Sequence, residues 1–149
     1  MQKDTIYLTA GIVVTVLFWL LRVQLLELVY TAPGYSDNMY NLGIYDTVAM
    51  VITAVAWVGA GIYYYVVNSV RFDRWWHWLA VLAVVAVLTP VVCYSVNTSV
   101  FSDNGGISYP AETAAFQTAT VLYSVLMFVV ASFSIRWWSS NCRHTPIPQ

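Results

Sequence analysis

Residues 17–30 read LFWLLRVQLLELVY and place polar side chains inside a long apolar run. Arg22, Gln24 and Glu27 all lie far from the start of that run. A charge at the centre of a bilayer costs about 2.5–3.5 kcal/mol on insertion scales, so such a residue usually faces protein or water and has a partner. The sequence therefore predicts a membrane helix whose polar groups are accommodated by the rest of the chain.

The composition indicates a membrane protein. Of 149 residues, 60% are hydrophobic and 9% are charged, whereas ordinary soluble domains have about 25% charged residues. A net charge of −1 provides no basic surface for nucleic acid. His77 and His144 lack the spacing of metal ligands, so we expect no metal and no cofactor.

Four segments are long and apolar enough to cross a bilayer as helices, at about 6–30, 46–70, 75–96 and 111–138. They are continuously apolar, unlike the alternating strands of a membrane barrel. We therefore predict an all-α membrane protein with one domain over 1–149, a four-transmembrane-helix bundle of up-down-up-down topology. The first run is too long for a cleavable signal peptide, so we expect it to stay as a helix.

Basic and acidic residues separate onto opposite sides of this topology. The positive-inside rule then predicts that both termini are cytoplasmic. The compact loops favour a bacterial inner (plasma) membrane. Tryptophans and tyrosines near the helix ends, Trp78 and Tyr35 among them, are predicted to anchor at the membrane interfaces. The basic side holds Lys3, Arg71, Arg74, Arg136 and Arg143; the other side holds Asp37, Asp46, Asp103 and Glu112.

Arg22 lies about 12 Å below the outer end of the first predicted helix, within the outer half of the bilayer. Arg22 and Glu27 are five residues apart and do not pair well within one helix, so Arg22 needs a partner elsewhere. Asp46 and Glu112 are the acids at that depth in other helices, and Gln117 extends the set. The candidate binding cluster is Arg22, Gln24, Glu27, Asp46, Glu112 and Gln117. It is either a structural network that fixes helix register, a ligand or ion site, or a contact to a partner.

Pro90 lies inside the third predicted helix, where its missing N–H predicts a kink. Thr89 beside it could form a hydrogen bond with a backbone group that the kink leaves free.

Cys93 and Cys142 are predicted on opposite sides of the membrane and cannot pair. Asn97-Thr98-Ser99 matches a weak glycosylation acceptor signal.

The outline of four spans and two outer loops is similar to that of claudins and tetraspanins, but neither outer loop holds a cysteine pair. The sequence therefore identifies no family. With no nucleophile–base arrangement, phosphate loop or paired carboxylates, we predict a non-enzymatic structural or assembly subunit of a homo- or hetero-oligomeric membrane complex, among lipids and with itself or another membrane protein as partner. The alternatives are a small transporter or channel, a ligand-binding protein, and a membrane enzyme acting on a lipid or quinone.

Overall fold

The computed structural model describes residues 2–147, which are predominantly helical and contain no strand. A π-helix, Ile62–Val67, continues α4, and short 3₁₀ turns cover Val70–Phe72 and Arg136–Trp138. The α-helices of this part of the chain are α1 (Gln2–Leu20), α2 (Arg22–Val29), α3 (Tyr35–Asn41), α4 (Ile44–Gly61), α5 (Trp75–Asp103) and α6 (Pro110–Ile135).

Four of the described helical segments are long and apolar enough to cross a membrane: Lys3–Leu20, Ile44–Val67, Trp75–Asp103 and Pro110–Trp138. This confirms the predicted all-helical class with four candidate spans. The predicted third helix was too short, because α5 continues to Asp103. At 1.5 Å per residue its 29 residues extend about 43 Å, which exceeds the roughly 30 Å of a hydrocarbon core.

The structure divides the first predicted helix, about 6–30, into two helices, although the Leu21 N–H still donates to the Leu17 carbonyl at 3.0 Å. It begins at Gln2 and is interrupted at Leu21, which has φ −102° and ψ 12° between α1 and α2. Directly after the break, Arg22 Nη1 donates to the carbonyl of Trp19 at 2.7 Å. A side chain that binds a carbonyl inside the helical ladder is a common cause of such interruptions.

Helix α6 forms the centre of the bundle. It packs against α1, α4 and α5, and α4 also packs against both α1 and α5, so α1 and α5 flank the α4–α6 pair. Two glycines allow close approach of backbones. A Cβ at Gly11 would lie 2.7 Å from Ser134 Cβ in α6, and a Cβ at Gly59 would lie 2.8 Å from Val85 Cγ2 in α5.

Two reciprocal hydrogen bonds set the register between α1 and α4. The indole of Trp19 donates to Thr53 Oγ1 at 3.1 Å, and the indole of Trp57 donates to Thr15 Oγ1 at 3.2 Å. Each helix carries the same pattern, a threonine followed four residues later by a tryptophan. Residues four apart share a helix face, so two antiparallel copies of this pattern meet threonine to tryptophan.

Separate sets of contacts hold the helices together at the two ends of the bundle. At the end we call the basic end, Tyr7 of α1 stacks on Trp137 with ring centroids 4.9 Å apart, and Asn68 after the π-helix bonds to the tail. At the opposite, acidic end, Tyr35 of α3 contacts the rings of Phe101 and Tyr109.

Candidate functional site

The predicted polar cluster is centred on an ion pair between α2 and α4. Arg22 Nε binds Asp46 Oδ1, so the arginine has two acceptors, this carboxylate and the carbonyl of Trp19. The pair does not lie in the bundle interior: the Arg22 side chain is 30% exposed and that of Asp46 is 55% exposed. It therefore faces the lateral surface of the bundle near the acidic end.

Glu27 and Gln24 have different surroundings although they lie on the same short helix. Glu27 is half-buried, and its Oε1 accepts from the hydroxyl of Tyr45 at 3.2 Å. Gln24 is exposed on the outside of α2. Two of the three polar residues of the first apolar run thus reach α4, through the contacts Arg22–Asp46 and Glu27–Tyr45.

The two members of the cluster that belong to α6 do not join this group. Gln117 Nε2 donates to the Thr113 carbonyl at 2.8 Å, and its Oε1 accepts from Thr120 Oγ1 at 3.0 Å. Glu112 lies half-buried in the first turn of α6, where a carboxylate is favoured by the helix dipole. The six candidate residues therefore form separate contacts and do not line one common cavity.

A continuous exposed stripe runs along α4 from the ion pair towards the basic end. Its members recur every four residues, so each is a surface neighbour of the next and together they form a ridge inclined to the helix axis. Beside the part of the stripe that is nearer the basic end, α4 and α5 leave an open groove of about 530 Å³ whose lining is apolar throughout. The stripe consists of Asp46, Met50, Ala54, Val58 and Ile62; the groove is lined by Ala54, Val55, Val58, Gly59, Ile62, Ala80, Val81, Val84, Val85 and Leu88.

Tyr35 is fully buried at the acidic end and is not the interfacial anchor that the sequence suggested. Its hydroxyl, the amide of Asn97 and the hydroxyl of Thr113 are buried without a hydrogen-bond partner of standard geometry. Burial raises the pKa of the Tyr35 phenol, and the neighbouring Thr113 and Asn97 side chains act in the opposite direction. Because Asn97 is fully buried, the glycosylation signal falls on an inaccessible side chain.

Trp78 also departs from the predicted interfacial role. It is buried in the bundle, and its indole donates to Ser132 Oγ of α6 at 3.1 Å. Its neighbours Trp75 and Trp76 are exposed and stacked with centroids 3.6 Å apart, as interfacial anchors require. The difference follows from helix geometry, since one residue in a run of neighbours turns inward.

Pro90 lies within α5, which is helical on both sides of it. The proposed relief by Thr89 is wrong: the Thr89 hydroxyl is buried and has no hydrogen-bond partner in the described part of the chain. The kink itself stays a prediction.

Asn68 holds the tail against the basic end. Its Oδ1 accepts from Ser139 Oγ and from the backbone N–H of Asn141, both at 2.9 Å. This tail, residues 139–147, is irregular. It is also bonded to the π-helix, since Tyr64 donates its hydroxyl to the Thr145 carbonyl at 3.0 Å. Cys142, within the tail, is buried, and this burial raises the pKa of its thiol.

Comparison of the chain with protein families, with curated proteins and with solved structures finds no match. The class of protein therefore follows from the fold: four helices long and apolar enough to span a membrane indicate a membrane protein.

Proposed function

We propose that this chain is a non-enzymatic, multi-pass membrane protein that associates laterally with a second transmembrane subunit, either a copy of itself or another membrane protein. The bundle crosses the bilayer in up-down-up-down order with both termini in the cytoplasm. The supporting observation for this orientation is that the basic residues gather at one end of the bundle. A bacterial inner membrane fits the compact loops.

One observation carries the proposal of lateral association: the polar groups near the acidic end face outward instead of inward. Asp46 is 55% exposed, and Gln24 is exposed on the outside of α2. Polar groups that face acyl chains are unfavourable, whereas a neighbouring helix can supply hydrogen bonds. A second subunit that covers Asp46 would shield this ion pair from lipid.

The remainder of the α4 stripe suits the same neighbour. Ala54, Gly59 and Ala80 are small residues in the groove, and small residues let the backbone of a second membrane helix approach closely. The groove continues the inclined ridge that begins at Asp46 and Met50. One additional helix packed along that ridge, at an angle to α4, would therefore cover the ion pair and fill the groove.

The exterior position of the ion pair also bears on the transporter or channel alternative. Arg22 and Asp46 do not line the interior of one bundle, so a conduit or ligand site built from them would form only between copies. This alternative therefore requires the same lateral association. In addition, the surfaces of α2 and α4 from each copy would have to face the centre of the oligomer.

Cysteine cross-linking tests the association. In mild detergent we expect the native chain to run as an oligomer or with a co-purifying membrane protein. Val58→Cys, on the stripe, should then give an oxidative cross-link, whereas Val13→Cys should not. Val13 is the matched control because it is similarly exposed, lies at a similar depth and belongs to α1, away from the groove.

The native thiols provide a low background, since Cys93 and Cys142 are both buried. A strictly monomeric chain with no co-purifying partner would contradict the proposal. Equal cross-linking from Val58→Cys and Val13→Cys would contradict the assignment of the interface to α4.

A further inference from the structure

Arg136 is unusual among the basic residues of the basic end because it is buried. It keeps only 7% of its surface exposed, whereas the other four are exposed. It lies in the 3₁₀ turn that follows α6. The other basic residues of this end are Lys3, Arg71, Arg74 and Arg143.

Aromatic rings fix the plane of the Arg136 guanidinium. Its Cζ lies 4.7 Å from the ring centroid of Phe133 and 4.3 Å from that of Trp137. Tyr7 stacks on the same Trp137 ring. Cation–π contacts of this kind satisfy the face of a guanidinium, but its N–H groups point along the plane and still need acceptors.

Two of the three guanidinium nitrogens lack such acceptors within residues 2–147. Arg136 Nε and Nη1 are buried and have no hydrogen-bond partner there. The phenols of Tyr64 and Tyr7 act electrostatically on the guanidinium. A buried, unpaired charge is strongly unfavourable, so the geometry calls for an external anion.

A second cation lies on the side where such an anion would enter. Lys3 is exposed and precedes Tyr7 by four residues, so both side chains lie on one face of α1. Because Tyr7 packs on Trp137, this face adjoins the ring that supports Arg136. Tyr7 is itself 46% exposed, so its ring lies at the surface beside Trp137.

We propose that Arg136, assisted by Lys3, binds the phosphate group of an anionic phospholipid at the basic end of the bundle. A guanidinium fork matches phosphate oxygens and forms paired, charge-assisted hydrogen bonds. Tryptophan and tyrosine mark the headgroup level of a membrane, and Trp137 and Tyr7 border this site. Anionic headgroups attract basic side chains at that level. The site requires that the chain spans a membrane, but it does not require lateral association.

Native mass spectrometry of the full-length protein tests the site directly. The protein is equilibrated with an equimolar mixture of phosphatidylglycerol and phosphatidylcholine in mild detergent. We expect preferential retention of phosphatidylglycerol, and Arg136→Gln should weaken that retention about fivefold or more. Arg143→Gln is the matched control, since it removes the same charge from an exposed residue at the same end and should leave retention unchanged.

Inorganic phosphate distinguishes the two sources of the ligand. If phosphate alone raises the unfolding temperature of the native chain but not of Arg136→Gln, the site is a phosphate site that also accepts the free ion. If only phosphatidylglycerol does so, the source is the lipid. Either result supports the site.

The proposal is overturned if the native chain retains both lipids equally, or if Arg143→Gln loses as much retention as Arg136→Gln. Should Arg136→Gln fail to fold, Lys3→Gln replaces it. Lys3 is exposed, so we expect this second variant to fold. Unchanged retention in Lys3→Gln would then count against the site. The same spectra report the oligomeric state, so failure of lipid binding and failure of lateral association are separate outcomes.

Discussion

Arg22 shows how a charge near the outer part of an apolar run is accommodated. It binds Asp46 of α4 and the carbonyl of Trp19, so one side chain satisfies a carboxylate and a backbone acceptor. The depth argument from the sequence named Asp46 as one of two possible partners. It could not choose between Asp46 and Glu112, because that choice depends on which helix lies beside α2.

Tyr35 is the residue for which we expect a distinct pH response. Burial holds the pKa of its phenol above the ordinary value, so the folded state keeps this proton when the unfolded state loses it at about pH 10. Above that pH the unfolded state binds fewer protons, and stability falls as pH rises. Unfolding titrations in detergent should show a steeper alkaline loss for the native chain than for Tyr35→Phe.

Near neutral pH the same substitution should change stability little. It removes a hydroxyl that has no standard hydrogen bond among the described residues, and removing an unsatisfied polar group is nearly neutral or favourable. Tyr40→Phe, at an exposed position of the same helix, is the control and should leave the alkaline slope as it is in the native chain. Identical alkaline slopes for the native chain and Tyr35→Phe would contradict this account.

Among the elements, the α1–α4 pair depends on the two threonine–tryptophan bonds. We expect Thr53→Val and Trp19→Phe each to destabilise the bundle. In a double-mutant cycle their coupling should be about 0.6 kcal/mol, the average for hydrogen bonds between membrane helices. Unfolding in detergent is the measurement.

Thr9→Val is the control for that cycle, because its hydroxyl donates only to the Thr5 carbonyl of its own helix. Its coupling to Trp19→Phe should be close to zero. Strict additivity of Thr53→Val and Trp19→Phe would show that the indole bond contributes nothing to pairing.

The α1–α6 contact provides a sharper steric prediction. Gly11→Ala places a methyl group against Ser134, and overpacking of this kind costs about 1–3 kcal/mol. Gly61→Ala meets nothing within 4 Å and should stabilise its helix by up to about 1 kcal/mol, since alanine is the better helix former. Equal effects of the two substitutions on the unfolding temperature would refute the close approach.

These elements also show what could be predicted from the sequence. Hydropathy located the four spans because their length and composition depend on no neighbour. The register signal, Thr15–Trp19 in one helix and Thr53–Trp57 in another, was present as a repeated spacing, but its meaning required knowing that the two helices pair. The break at Leu21 had no glycine or proline to indicate it.

For the whole molecule, the sequence predicted the separation of charge and missed what is buried at each end. Trp78, Tyr35 and Arg136 all belong to residue types that favour interfaces, yet each turns into the bundle. Composition predicts the depth of such a residue but not its rotation about the helix axis. The predicted cluster was likewise wrong as a single site, since Gln117 of α6 bonds to the Thr113 carbonyl of its own helix and not to Arg22.

Basic residues gather at one end of the whole bundle, although Asp4 and Asp73 also lie there, and this gathering determines orientation in the proposed topology. The basic end carries Lys3 and Arg143, and the acidic end carries Asp103 and Glu112. Under the positive-inside rule, the basic end stays in the cytoplasm. Orientation is therefore a property of the molecule as a whole, and in the proposed topology it places the lipid site at the cytoplasmic surface.

Labelling of intact cells with a membrane-impermeant maleimide tests this orientation most directly. Asn104→Cys lies at the acidic end and His144→Cys at the basic end, both at exposed positions; the native chain, with both thiols buried, is the blank. We predict labelling of Asn104→Cys in intact cells and of His144→Cys only after permeabilisation. Labelling of His144→Cys from outside, or of both positions in intact cells, would contradict a four-span bundle with its basic end in the cytoplasm.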